Sequence, residues 1–140
     1  MEIRFTVPGP PKGKQRPRVC RINGKSITYT PKQTTEYEKK IRASYKRLKS
    51  EKFPQGVPLK INITALFPIP KKFNKEWRQT ALNGKILPTK KPDSDNIIKI
   101  ILDGLNGVAY HDDAQICKVN FEKRYAEIPE VKVTIKEINL

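Results

Sequence analysis

KPDSDNIIKIILDGLNGVAYHDDAQ, residues 91–115, decides how this chain is read. Its middle predicts a helix over 96–105, because Ile97, Ile101 and Leu105, with Ile98 and Leu102, share one broad apolar face at helical spacing. Its flanks are acidic. The chain has 29 Lys and Arg against 14 Asp and Glu, a formal net charge of +15, yet all five aspartates lie between Asp93 and Asp113. Lys99 is the one Lys or Arg among them. Outside that window stand 28 basic and nine acidic side chains, so two opposite electrostatic tasks are kept apart in one chain.

Helix geometry sorts the acids. Asp93 and Asp95 stand where the helix begins. Asp and Asn are favoured at helix N-caps, so capping alone accounts for PDSDN. The partial positive charge of a helix start also keeps nearby carboxylates ionised, so capping and metal binding are compatible. Lys99, one turn beyond Asp95, leans back toward it as in an ordinary i,i+4 ion pair. Asp103 lies about 12 Å along the axis from Asp95. Oxygens sharing one magnesium ion lie about 3 Å apart, so Asp103 belongs to the helix surface or an outer shell.

Asp112 and Asp113 precede a run in which Cys117, Val119 and Phe121 alternate as a strand. Consecutive strand residues face opposite sides, so one of the pair points at the helix. Extending the alternation backward selects Asp113, with Asp112 as the fallback. Asp93, Asp95 and Asp113 are therefore expected to converge on one cation. An all-oxygen set suits Mg²⁺, with Mn²⁺ as substitute, rather than zinc.

Outward from this stretch the chain alternates strands and helices. Ile3, Phe5 and Val7 alternate as a first strand, and GPPKGKQRPR must be a loop. Asn23-Gly24 marks a tight hairpin turn at about 18–29. Thr35 and Glu38 form a capping-box pattern ahead of a helix whose Tyr37, Ile41, Tyr45 and Leu48 run to about residue 49. Leu59 to Phe67 alternates as a strand that Pro68 and Pro70 end. Residues 74–82 suit a short helix stopped by Gly84. Alternation in 117–121 and 131–135 gives two closing strands. With hairpin-like neighbours at both ends, residues 1–140 read as a single α+β domain: a mixed, largely antiparallel sheet packed against two to three helices.

A sequence pI near 9.9 points to a polyanion, with nucleic acid ahead of a membrane surface. No apolar run approaches the roughly 18–20 residues a membrane span needs. The N-terminus lacks the apolar stretch and cleavage site of a secretory signal. Cys20 and Cys117 form no metal-ligand pattern and read as reduced thiols in a cytoplasmic protein. Lys14, Arg16 and Arg18 in the Pro/Gly loop, with Lys90 and Lys91 beside the acids, are the candidate phosphate contacts. His111 at its turn reads as incidental rather than as a proton shuttle beside Asp112, and Phe73 and Trp77 read as anchors of core or dimer surfaces ahead of base stacking.

KPDSDNIIK, then D-x-L, then HDDAQ, resembles the signature of the RusA family of Holliday junction resolvases, endodeoxyribonucleases often carried by prophages. Looser similarity extends to the first strand, GKQRPR, YTPKQTTEYE and the closing strands. The resemblance implies catalytic aspartates at Asp93, Asp95 and Asp113, an essential lysine at Lys99, and metal-assisted hydrolysis leaving 5′-phosphate and 3′-hydroxyl ends. It further implies a homodimer acting on four-way DNA junctions in recombination and repair. The rival readings are a nuclease for flaps or other branched DNA, and a non-catalytic nucleic-acid-binding protein.

Overall fold

The computed structural model describes residues 1–139. The elements are β1 (Glu2–Pro8), β2 (Arg18–Ile22), β3 (Lys25–Tyr29), α1 (Lys32–Lys46), β4 (Leu59–Pro68), α2 (Lys75–Leu82), α3 (Ser94–Leu105), β5 (Ile116–Ala126) and β6 (Glu130–Glu137). The main sheet has the order β1-β6-β4-β5, and β2 and β3 form a separate two-stranded sheet. Within the main sheet β1 and β4 run antiparallel to β6, while β4 and β5 are parallel. The α+β class and the mixed sheet expected from the sequence are what the chain forms.

One face of the sheet makes the core. Ile3, Phe5 and Val7, Leu59, Ile61 and Ile63, and Val131, Val133 and Ile135 are all buried, the alternation of strands with one face covered. α1 covers that face through Tyr37, Ile41 and Tyr45, and α3 through Ile97, Ile100, Ile101 and Leu105. Burying such an aliphatic side chain stabilises the fold by about 2 kcal/mol. A β-carbon on Gly104 would stand 3.0 Å from Ile41 Cδ1, so the missing side chain lets α1 and α3 approach.

Three expectations change. The closing strands are not a hairpin: β6 inserts between β1 and β4, so the chain leaving β5 crosses over β4. Period-2 patterning marks a strand but not its partner. The Thr35–Glu38 capping box is absent. α1 begins directly after Pro31, Thr35 Oγ1 donates to the Pro31 carbonyl (3.4 Å), and Glu38 accepts from Lys14 instead. Finally, Asp113 opens a 3₁₀ turn (Asp113–Gln115) rather than a strand, and Cys117 and Val119 of β5 are exposed. Strand parity therefore does not select between Asp112 and Asp113.

Candidate active site

The acids and the basic loop share a cleft. A cavity of about 600 Å³ is lined by Lys12, Arg16 and Lys91 on the basic side and by Asp93, Asp95 and Asn96 on the other. Two contacts fix the loop to the first turn of α3. The Lys14 amide donates to the Asn96 carbonyl at 2.8 Å. A β-carbon on Gly13 would come within 2.9 Å of Pro92 Cβ and 3.0 Å of Asn96 Cβ, so this close approach requires glycine.

Asp93 occupies the N-cap position of α3 with extended backbone (φ −70°, ψ 153°), yet its side chain makes no capping hydrogen bond. Capping alone therefore does not explain this aspartate. Its carboxylate is exposed, as are Asp95 and Lys99 along the same helix.

The second acidic group lies beside the C-terminal half of α3. Asp112 Oδ1 accepts from the Ala114 amide (3.1 Å), and Gln115 Oε1 accepts from the His111 and Asp112 amides (3.1 and 3.3 Å), completing a capping box. Gln115 Nε2 donates to the Pro54 and Val57 carbonyls, each at 3.0 Å. Tyr110, fully buried, donates its hydroxyl to the Leu102 carbonyl at 2.7 Å and ties this turn to α3.

Within the pair the roles diverge. The Ala114 amide, followed by Asp113, holds the Asp112 carboxyl below its ordinary value. Partial burial pushes Asp113 above its own, helped by Asp112 and Asp103 and opposed by Lys99. Asp112 is thus engaged in building the turn. Asp113 lies against the Asp112 carboxyl and stands near Lys99 and Asp103.

The expected convergence is not present as a closed cage. Among the described residues, no three His, Cys, Asp or Glu side chains are gathered to hold one ion. Asp93 and Asp95 stand at the start of α3, whereas the 3₁₀ turn sets Asp113 against its later turns. Lys14 also lines the cleft. Its ammonium pairs with Glu38 Oε1 (2.8 Å) and Asp103 Oδ2 (3.2 Å), bridging α1 and α3. Burial opposes its charge, but the two carboxylates outweigh burial and raise its pKa. Arg16, Arg18, Lys90 and Lys91 remain exposed. Tyr110 and Gln115 were missed from sequence, although D-x-x-Q at Asp112–Gln115 is itself a capping-box pattern.

The family model described as endodeoxyribonuclease RusA matches residues 8–136. The chain belongs to the RusA family. This RusA-family chain is 31% identical to the crossover junction endodeoxyribonuclease rusA of Lactococcus phage r1t over 138 residues, covering 94% of this chain and 98% of the phage protein. It is 32% identical over 139 residues to the uncharacterized protein YqaN of Bacillus subtilis strain 168, covering 98% and 97% of the two chains. Among the described residues no helix is long and apolar enough to cross a membrane.

Proposed function

We propose that this protein is a Mg²⁺-dependent endodeoxyribonuclease that resolves four-way DNA junctions by nicking opposed strands, as a homodimer, in recombination and repair. The observation that carries the reading is the uncapped Asp93 beside Asp95 in a cleft whose other wall is basic. Family membership, and the name of the phage relative, supply the substrate class.

The donor chemistry fits a hard divalent cation. Partial burial first, and then the neighbouring Asp112 and Asp103, push Asp113 upward, and a bound cation would relieve the repulsion among these acids. That no three acids are gathered among the described residues does not oppose this, because Mg²⁺ keeps several waters and is commonly held by one or two carboxylates together with substrate phosphates. Asp93, Asp95 and Asp113 would hold the ion, directly or through its retained waters, with Mn²⁺ able to substitute. When bound, it polarises the scissile phosphate and lowers the pKa of an attacking water. Lys99 lies between the two acidic groups along α3 and stabilises charge growing on the phosphoryl or leaving oxygens. Arg16, Arg18, Lys90 and Lys91 neutralise phosphates flanking the cleft. A two-fold dimer places two such sites on a substrate of matching symmetry.

The test is cleavage of labelled four-way, flap and linear duplex DNA with Mg²⁺ or with EDTA. The expected result is Mg²⁺-dependent nicking concentrated on the four-way substrate. Preference for flaps would replace the junction assignment, and binding of all three without cleavage would make the protein a binding module.

A further inference from the structure

The hairpin of β2 and β3 is built unlike the rest of the molecule. It forms its own sheet and, among the described residues, packs broadly against no other element. Asn23 (φ 51°) and Gly24 (φ 75°) make its tight turn. An isolated two-stranded ribbon is marginally stable in water, so this one should find cover elsewhere. Its register places Arg18 opposite Tyr29, Cys20 opposite Ile27 and Ile22 opposite Lys25. Directly opposed residues share a face, so one side presents Cys20, Ile22, Ile27 and Tyr29 between two cations, and the other presents Val19, Arg21, Ser26 and Thr28. Ile22, Ile27 and Tyr29 are 52%, 43% and 45% exposed, far from the pattern of the main sheet.

Charge and position indicate the occupant. From residue 3 to residue 35 the chain has no Asp or Glu, while the hairpin itself carries Arg18, Arg21 and Lys25. Arg16 lines the acidic cleft, and two residues later Arg18 begins the ribbon, so the hairpin springs from the cleft's rim. Five-residue strands extend about 17 Å, and a two-stranded ribbon fits the major groove, about 12 Å wide. Cations alone would suffice for phosphates. The aliphatic and aromatic face needs an apolar partner, and a branch point offers one in the faces of unstacked bases, against which proteins insert side chains such as Ile.

We infer that the β2–β3 hairpin is a DNA-engaging arm that covers unstacked bases at the branch point with Ile22, Ile27 and Tyr29 while Arg18, Arg21 and Lys25 hold the adjoining phosphates. The inference rests on the branched-DNA reading of the cleft and adds the element that separates branched from linear DNA.

The experiment uses the full chain in EDTA and a four-way junction carrying 2-aminopurine at the branch point, with a linear duplex alongside. Wild-type protein is expected to raise the 2-aminopurine fluorescence. Ile22→Ser with Ile27→Ser abolishes that rise and weakens junction binding by about tenfold or more, leaving duplex binding unchanged. Val19→Ser, on the opposite face, changes neither. Replacing Arg18, Arg21 and Lys25 by Ala weakens binding to both DNAs and flattens the salt dependence by about 0.9 log unit per lost phosphate contact. These side chains are exposed, so thermal unfolding should match wild type and separate lost contact from lost fold. An Ile variant that binds the junction with wild-type affinity and fluorescence overturns the arm. So does an Ile variant that sediments as a monomer where wild type is a dimer, because the apolar face would then join two copies of the chain. Wild-type cleavage with Mg²⁺ is scored separately: a protein that cuts junctions while its Ile variant discriminates normally loses the arm alone, whereas one that neither binds nor cuts branched DNA loses both.

Discussion

Tyr110 does for the second half of the site what Gly13 does for the first. Its ring is fully buried, its hydroxyl satisfies the Leu102 carbonyl, and three residues later the chain presents Asp113. Tyr110→Phe removes that donor and leaves a carbonyl of α3 unpaired at about 1–2 kcal/mol. The urea midpoint should fall with an unchanged slope, and cleavage should slow because Asp113 loses its orientation against Lys99. A variant of wild-type stability and activity would contradict this positioning role. The division between Asp112 and Asp113 belongs to the same scale. Two adjacent, chemically identical side chains are distinguished by the Ala114 amide, which engages Asp112 and not Asp113.

Among the elements, α3 organises the site and Lys14 ties α1 and the basic loop to it. With a side chain only 20% exposed, Lys14 reaches Glu38 and Asp103. Lys14→Ala strands Asp103 and leaves Glu38 only Arg42 at 3.8 Å, and should destabilise the protein by about 2 kcal/mol, visible in urea unfolding. Were Lys14 a phosphate contact, the same change would weaken DNA binding and leave stability alone. The sequence made α3 legible because five apolar residues repeat at helical spacing, and made β1 and β4 legible because their alternation is strict. It could not order the sheet, since alternation in β5 and β6 carries no information about which strand each will pair with. It chose Asp113 on strand parity and on family resemblance. Strand parity does not extend back to Asp113 because a 3₁₀ turn intervenes, a turn that the D-x-x-Q pattern announces. The role of Lys14 was hidden because Glu38 looked like half of a local cap, and only the packing of α1 against α3 makes it the lysine's partner.

Over the whole molecule, the burial of tyrosines couples stability to alkaline pH. Burial pushes the Tyr37 phenol up from 10.0 to about 12, with the Lys12 amide pulling the other way, and burial also raises Tyr110. An acid whose folded pKa exceeds its unfolded value binds its proton more tightly in the native state. The associated stability is therefore intact below pH 10.0 and is lost as pH rises toward 12. Unfolding free energy should drop by about 2–3 kcal/mol over that window from Tyr37 alone, and Tyr37→Phe should shrink the drop when urea midpoints are compared at pH 9 and pH 11 (about one unit on either side of a free phenol). The central claim, that acids from both ends of the α3 unit serve one hydrolytic site in which Asp112 has only a structural part, is tested most directly by single-turnover cleavage of a four-way junction in Mg²⁺. Asp95→Asn and Asp113→Asn should bind the junction as wild type does and cut at least about a hundredfold more slowly, whereas Asp112→Asn, still able to accept the Ala114 amide, should cut at near the wild-type rate. Wild-type cleavage by Asp95→Asn, or an Asp112→Asn enzyme as inactive as Asp113→Asn, would contradict it.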